Sequence, residues 1–471
     1  MKTYDFIGIG IGPFNLSIAA LAEGLDGFSS LFLERKPHFS WHPGMMVPDC
    51  HMQTSFLKDL VSAVEPTNRH SFLNYLVQRK KFYRFLTTEQ RTVSREEFAD
   101  YLCWAADNLT NLAFSQQVQQ VSFDEKSGLF EVVTQRDRFL ARHVCVGVQQ
   151  VSFDEKSGLF EVVTQRDRFL ARHVCVGIGK QINLPDCVTT QDDSCFHASE
   201  MMLRTPDLAG KRVTVVGGGQ SGADLFLNIF RGEWGQPLSL NWVSRRNNYN
   251  ALDEAAFANE YFTPEYVDSF STLGEEARRQ MLHEQKMTSD GITTESLLAI
   301  YRAMYHRFEV LREKPWAHLM PSRSVTALTR LENGQRLSIQ HHLDGGREQL
   351  ESDVVIFATG YRAVQPAFLA PLSHRLHLDT DEAFCINNDF TLEWDGPQSN
   401  RLFAVNAGMH RLGIAEPQLS LMAWRAARIL NRAHADEPFE LATTPGVIHW
   451  RSTTSPENSQ VFKSLAKTTE Y

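Results

Sequence analysis

The chain has 471 residues, room for two or three domains, and its 42% hydrophobic and 22% charged content is that of an ordinary globular protein. A formal net charge of −9 argues against a nucleic-acid partner, because phosphate binding needs a basic face. No apolar run reaches the ~20 residues of a membrane span, and the N-terminal MKTYDFIGIGIG lacks the apolar core of a signal peptide. No membrane span and a cytoplasmic location are therefore expected. Cys50, Cys103, Cys145, Cys175, Cys187, Cys195 and Cys385 form no CxxC pair and no zinc spacing. Reduced thiols, no metal and no redox disulfide follow as expectations.

The first predicted unit is YDFIGIGIGPFNLSIAAL, from Tyr4 to Leu21. A short apolar strand runs into Gly8, Gly10 and Gly12, and an apolar-periodic helix opens at Pro13, with Asn15 in its first turn. Strand, glycine loop and helix in that order are what a dinucleotide pyrophosphate needs: close backbone approach and free amides at a helix N-terminus. Proline replaces the usual third glycine and is tolerated in the first helical turn. The next strand, SLFLE, ends at Glu34, whose carboxylate suits ribose hydroxyls. We read this unit as the FAD site.

Further along, VQQVSFDEKSGLFEVVTQRDRFLARHVCVG occurs twice without a difference, at 118–147 and 148–177. Two identical copies are not a solenoid, which needs at least three stacked and diverged units. Each copy reads as two strands around a DEKSG turn and a third strand, Phe139–Val146 in the first copy, directed back toward the first unit. One copy is expected to fill the sheet, with Val118 on the adenine side and the returning strand supplied by residues 172–177. The surplus ~30 residues would then extrude at a turn, since doubling a loop costs only ~0.6 kcal/mol of closure entropy.

The second unit, KRVTVVGGGQSGAD, carries a full GxGxxG at Gly217, Gly219 and Gly222, with Gln220 and Ser221 opening its helix. Its following strand ends in Arg245 and Arg246 where the first unit has an acid. Arginine accommodates a 2′-phosphate, so this unit is read as the NADPH site. Residues 251–313 are helix-rich. A third signal, DVVIFATGYR at 353–362, resembles the late strand that returns to the flavin domain in flavoproteins with two dinucleotide sites. The fold class expected is α/β, with an FAD domain (1–207), an inserted NADPH domain (208–350) bearing a helical substrate subdomain (about 251–313), a return (351–445) and a polar tail (446–471).

The stretches FSWHPGMMVPDCHMQTSFLKDLV (39–61), FANE (257–260) and GIAEPQLSLMAWR (413–425) resemble the microbial N-hydroxylating flavin monooxygenases of siderophore biosynthesis, nearer to the lysine-hydroxylating than the ornithine-hydroxylating branch. The resemblance spans about residues 5–451, apart from the doubled segment. It implies that NADPH reduces FAD, that O2 adds to give a C4a-hydroperoxyflavin, and that one oxygen passes to the side-chain amine of free L-lysine. It also implies a homo-oligomer, commonly a tetramer. By the same resemblance Gln53 orders the flavin edge, while Trp41 and His42 lie in the isoalloxazine-side segment. Pro417, Gln418 and Leu419 lie at the cofactor. Lys58 meets the α-carboxylate, and Asn259 and Ser420 contact the amino-acid head; Gln53, Lys58 and Asn259 form the catalytic group. Ser289 is assigned to the NADP side, although Ser289-Asp290-Gly291 stands where the ornithine branch has Asn-Tyr-Ser. An amine with an ordinary pKa of ~10.4 must be held neutral to attack oxygen, which calls for an apolar, water-free pocket. An ornithine hydroxylase, an oxygenase of carbonyls or sulfides, an uncoupled NADPH oxidase and an inactive homologue disabled by the duplication stay open as alternatives.

Overall fold

The computed structural model describes residues 2–116, 180–363, 365, 373–395, 401–434, 436–442 and 446–452, and the backbone of eight strands lying between Gln120 and Val176. Two parallel sheets organise it. In the first, the strands run in the order Arg401–Ala404, His173–Val176, His143–Val146, Phe6–Ile9, Ser30–Leu33 and Leu112–Ala113, every neighbour parallel. The helix Pro13–Ala22 follows the Phe6–Ile9 strand, and residues 15–22 are all buried. They pack against the helix Met422–Ala433, whose Trp424, Ala426, Ala427, Ile429 and Leu430 complete the same core. Such all-round burial replaces the single apolar face that the periodic reading of this helix implied.

The second parallel sheet has the order Cys195–His197, Val354–Phe357, Arg212–Val216, Ser239–Val243 and Ala317–Met320. Its helix, Gln220–Arg231, is buried on every side from Gly222 to Phe230 and ends on Gly232 at φ 88°, the left-handed stop that glycine adopts without strain. A three-stranded antiparallel sheet, Arg323–Leu331, Gly334–His341 and Arg347–Ser352, flanks it.

The strand assignments move the expected crossing point. Val354–Phe357, read as the return to the first sheet, pairs with Arg212–Val216 and Cys195–His197 inside the second. Its four residues are all buried and β-favouring, and such a run fits the middle of either parallel sheet. The strand that rejoins the first sheet is Arg401–Ala404.

The doubled segment also departs from expectation, because both copies are built into sheets. His143–Val146 and His173–Val176 lie side by side, parallel and in register, each residue beside its own duplicate. The remaining strands share one sheet in the order Lys2–Tyr4, Arg138–Ala141, Leu129–Val133, Gln120–Asp124, Leu159–Val163 and Arg168–Ala171, with Gln150–Asp154 pairing Leu159–Val163. The physical reason lies in the backbone. An extruded copy would leave rows of unpaired N–H and C=O groups, whereas adding it to the ladder pairs them. A sequence that suits one interior slot of a parallel sheet suits the next. Val118 lies outside the described residues.

Between the Ser239–Val243 and Ala317–Met320 strands of the second sheet the chain is helical, with a 3-10 helix at Ala256–Phe262 and α-helices at Pro264–Ser271, Glu275–Glu284, Lys286–Asp290 and Thr294–Tyr305. Residues 446–452, the start of the C-terminal tail, pack on this region through Trp450, which meets Tyr261 and Tyr266. Residues 453–471 lie outside the description. Among the described residues no helix is long and apolar enough to cross a membrane.

Candidate functional site

At the end of the first strand, Gly10 takes φ 83°, a conformation that side chains rarely adopt. A Cβ on Gly8 would overlap the Phe32 ring of the adjacent strand, so that glycine serves strand-to-strand contact. Gly12 differs. It caps the helix in extended conformation, φ −92° and ψ 175°, and a Cβ there would meet no described atom within 4 Å. The open side of Gly12 faces away from the packing that binds the rest of the loop, and the first-turn amides beyond Pro13 have no intrahelical acceptor. That is the shape a pyrophosphate fits. Asn15 donates from Nδ2 to the Gly10 carbonyl at 2.7 Å and fixes the loop.

Glu34 has a second role that the sequence did not suggest. Its carboxylate is buried and accepts from the Ile11 N–H at 2.8 Å and the Lys36 N–H at 3.1 Å. It therefore holds the glycine loop open; each oxygen retains a lone pair for a ribose hydroxyl. His42 sits at φ 44° before the short 3-10 turn Pro43–Met45, beside Trp41, which packs edge-on against Phe98. Burial, with Arg95 and Lys36 nearby, pulls the imidazole below its ordinary pKa.

The second glycine loop is tighter. Gly217 has φ 136° and a Cβ on it would overlap the Ala358 carbonyl, while its own carbonyl accepts from Trp242 Nε1 at 2.7 Å. Side chains at Gly218 and Gly222 would overlap Ser244 and the Gly217 carbonyl. Gly219, again at the helix cap, has only the Asp290 carbonyl near, 3.9 Å from where a Cβ would stand. The Ser289-Asp290 turn thus borders this loop. Ser289 Oγ bonds to Asp290 Oδ1 at 3.3 Å. The two arginines divide: Arg246 donates to the Asp290 carbonyl at 2.8 Å, whereas Arg245 is exposed and has no ion-pair partner among the described residues. A free guanidinium at that strand end is what a 2′-phosphate needs.

One side chain of the second loop's helix reaches the segment that carries Gln53. Gln220 accepts from the Thr293 N–H at 2.8 Å, donates to Asp224 at 2.7 Å and Ser296 at 3.0 Å, and its Oε1 lies 3.5 Å from Gln53 Nε2. Gln53, expected at the flavin edge, therefore meets the helix start expected to hold NADPH. Ser221 follows on the same turn.

The substrate residues form two groups. Lys58 follows Ser55 in a turn whose Leu60 carbonyl accepts from Ser17 of the first helix. Its ammonium lies 5.8 Å from the Phe262 ring centroid and has no carboxylate partner among the described residues. Burial lowers its pKa. A surface pair with Asp59 is ruled out, because that carboxylate is committed to the N–H groups of Val61, Ser62 and Phe72 and to the Ser62 hydroxyl. Phe262 ends the 3-10 helix that carries Asn259, so Lys58 and Asn259 come to the same element. Asn259 is exposed and donates weakly to the Ala255 carbonyl at 3.3 Å, leaving its carbonyl oxygen open.

The second group is the segment 416–420. Ser420 Oγ and Glu416 Oε2 are buried without a hydrogen-bond partner among the described residues, a costly state that a bound molecule would relieve. The other Glu416 oxygen accepts from the Asn406 N–H at 2.6 Å. Pro417 and Gln418 lead into a 3-10 turn, Leu419–Leu421. Arg425 locks this segment to the first unit: its guanidinium lies 4.3 Å from the Phe14 ring centroid and donates to the Glu416 carbonyl. No hydrogen bond or ion pair among the described residues joins Lys58, Asn259 and Ser420 to one another. Phe262, Glu416 and Arg425 escaped the sequence reading. Phe262 was findable, since i and i+3 share a face in a 3-10 helix; Arg425 reads as an ordinary helix residue until its burial is seen.

Comparison with known proteins adds independent findings. A family model described as L-lysine 6-monooxygenase/L-ornithine 5-monooxygenase matches residues 2–153 and 147–363, the break falling where the second copy of the repeat begins. The L-lysine N6-monooxygenase of Escherichia coli is 58% identical over 453 residues, 96% of this chain and 100% of that protein. Among solved structures, the FAD-bound cadaverine monooxygenase of Erwinia amylovora, from the desferrioxamine pathway, has a TM-score of 0.83 at 28% identity, covering 97% of this chain and 100% of its own. An ornithine N-hydroxylase of Kutzneria sp. 744, solved with reduced FAD, NADP+ and L-ornithine, has a TM-score of 0.78 at 25% identity, covering 92% and 99%.

Proposed function

The chain belongs to the L-lysine 6-monooxygenase/L-ornithine 5-monooxygenase family, and from that premise we propose that it N-hydroxylates the side-chain amine of free L-lysine, using FAD, NADPH and O2. The product is N6-hydroxy-L-lysine for a hydroxamate siderophore of the aerobactin type. The observation that carries the choice of lysine is the 58% identity with the Escherichia coli enzyme across that protein's whole length. The Lys58 ammonium, with no carboxylate partner among the described residues, supports an amino acid over a diamine, since only the amino acid brings a carboxylate to it. One methylene separates lysine from ornithine and contributes ~1–3 kcal/mol in an apolar pocket.

FAD, reduced by NADPH, supplies the oxygen-activating chemistry when bound. Gly8, Gly10, Gly12, Pro13 and Asn15 would hold its pyrophosphate end, with Glu34 bracing the loop, and the turn Pro417–Leu419 would close over it. Gly217, Gly219, Gln220, Ser221 and Gly222 would hold NADPH, with Arg245 on the 2′-phosphate and Ser289 beside the loop. Lys58 binds the substrate carboxylate as a charge-assisted pair, worth roughly twice a neutral hydrogen bond. Asn259 offers its amide to the amino-acid head, and the Ser420 hydroxyl gains the partner it otherwise lacks. Anchoring the head in this way leaves the aliphatic stem to cross an apolar space, where desolvation favours the neutral terminal amine that the reaction requires. Gln53, in contact with Gln220, links the two nucleotide sites. The same reading carries a cytoplasmic location, where NADPH and free lysine are plentiful, and a homo-oligomer.

The test is product detection by mass with L-lysine, L-ornithine and cadaverine side by side. Addition of one oxygen to L-lysine, with lysine-stimulated NADPH consumption, is expected. Equal NADPH oxidation with and without lysine, yielding only peroxide, overturns the reading.

A further inference from the structure

The 3-10 helix Ala256–Phe262, which carries Asn259 and presents Phe262 to Lys58, is mostly exposed. Runs of this helix longer than three or four residues are uncommon because their hydrogen bonds are poorly aligned. Among its seven residues only Ala258 is buried, and Phe257 is 70% exposed. At its two ends the Ala258 N–H and the Asn259 side chain donate to the Ala255 carbonyl, and the Thr263 hydroxyl donates to the Glu260 carbonyl.

Phe262 packs against the first core, and a second hold comes from the far end of the chain. The Trp450 ring lies 4.7 Å from Tyr266 in an edge-on arrangement and 5.4 Å from Tyr261, while Tyr261 and Tyr266 meet edge-on at 4.9 Å. The three rings close on one another, each touching the other two. Tyr261 is inside the 3-10 helix and Tyr266 in the helix that follows, so Trp450 spans the joint between them. Arg451 donates to the Asp268 carbonyl at 3.0 Å, tying the same strap to that second helix. The second helix is itself anchored, Arg428 of the helix Met422–Ala433 pairing with Asp268 at 2.8 Å. The strap therefore adds to the Phe262 packing a second tie, from the 3-10 helix to a helix that is itself bonded to the first core.

We propose that Trp450 is a positioning residue for the amino-acid substrate: it sets the 3-10 helix so that Asn259 and the Phe262–Lys58 contact stand where the substrate head arrives. This rests on the substrate reading above. The ring contacts of Trp450 are with Tyr261 and Tyr266, in neither cofactor loop, so its loss should leave both nucleotide sites intact and weaken only the capture of lysine.

The test uses the full chain with FAD bound, comparing parent, Trp450→Ala and Trp450→Phe. For the alanine variant KM for L-lysine should rise about tenfold, equivalent to ~1.4 kcal/mol of lost ordering. Peroxide released per NADPH should increase, with FAD content and lysine-independent NADPH oxidation unchanged. The phenylalanine variant should recover most of the loss. Hydrogen exchange across 256–262 should quicken in the alanine variant whether or not lysine is the substrate. If the parent makes no hydroxylysine, the substrate reading falls and the exchange result still decides the strap. Unchanged exchange and KM overturn the proposal, as does a parallel fall in FAD content and all rates. If Trp450→Ala is insoluble, Trp450→Leu should show the same pattern at smaller size, and its absence there overturns the proposal equally.

Discussion

Replacing Lys58 by methionine removes a charge while keeping an unbranched stem of similar length. The ammonium has no carboxylate partner among the described residues and sits half-buried against Phe262, so in the substrate-free protein it loses almost nothing when discharged. With lysine bound it would make a charge-assisted pair, a class of interaction that contributes ~1.5–3 kcal/mol. KM for L-lysine should therefore rise about 10- to 100-fold in Lys58→Met, with lysine-independent NADPH oxidation unchanged. The pH dependence has a definite sign. Burial lowers the Lys58 pKa, so the pairing charge is present below that value and lost as pH rises through it. KM should climb on the alkaline side in the parent and stay flat in the variant. For stability the sign is opposite: burying the charged form costs free energy at pH below the folded pKa, and the cost is gone above the unfolded one. Lys58→Met should thus melt no lower than the parent at neutral pH. Steady-state hydroxylysine formation from about pH 7 to 10, with a thermal melt near pH 7, measures both. An unchanged KM, or a melt markedly below the parent's, refutes the reasoning by making Lys58 a structural residue.

The two ends of the first glycine loop should separate in their effects. Gly12→Val places its side chain in open space without backbone strain, so the protein should fold with unchanged apoprotein Tm yet purify with little FAD, read from visible absorbance; Gly8→Val, which would overlap Phe32, should lose folding itself. Arg245→Ala should raise KM for NADPH about tenfold or more while leaving KM for NADH unchanged, since only the former carries the 2′-phosphate; equal effects on both would remove Arg245 from that role. Deleting residues 148–177 joins Gly147 to Ile178, the same junction that Gly177 makes now. The strand His143–Val146 would then meet Arg401–Ala404 directly through residues identical to those there at present, drawing that strand in by about 4.8 Å. The shortened protein should bind FAD, keep activity and melt no lower than the parent; an insoluble or colourless product would show that the added strands have become indispensable.

Much of this molecule is local, and the local part is legible in the sequence. A strand that runs into glycines and then a helix needs no distant residue to specify it, because Gly10 at φ 83° and Pro13 at the first turn follow from backbone sterics alone. The contrast between Glu34 and the Arg245–Arg246 pair is likewise written at fixed distances along the chain. What tertiary structure alone decided is who neighbours whom. Four buried apolar residues at Val354–Phe357 fit the interior of either parallel sheet, and only the pairing with Arg212–Val216 assigns them. Two identical strands cannot be ranked by sequence, and the hydrogen-bonding demand of the backbone admitted both. Lys58 was freed for a ligand because Asp59 found four other donors, among them Phe72 from another turn of chain. Trp450, in a polar tail with nothing to single it out, acquired a role by meeting two tyrosines far back along the chain. Backbone geometry is set residue by residue, whereas charge pairing and ring packing depend on which surfaces the finished fold brings within a few ångströms.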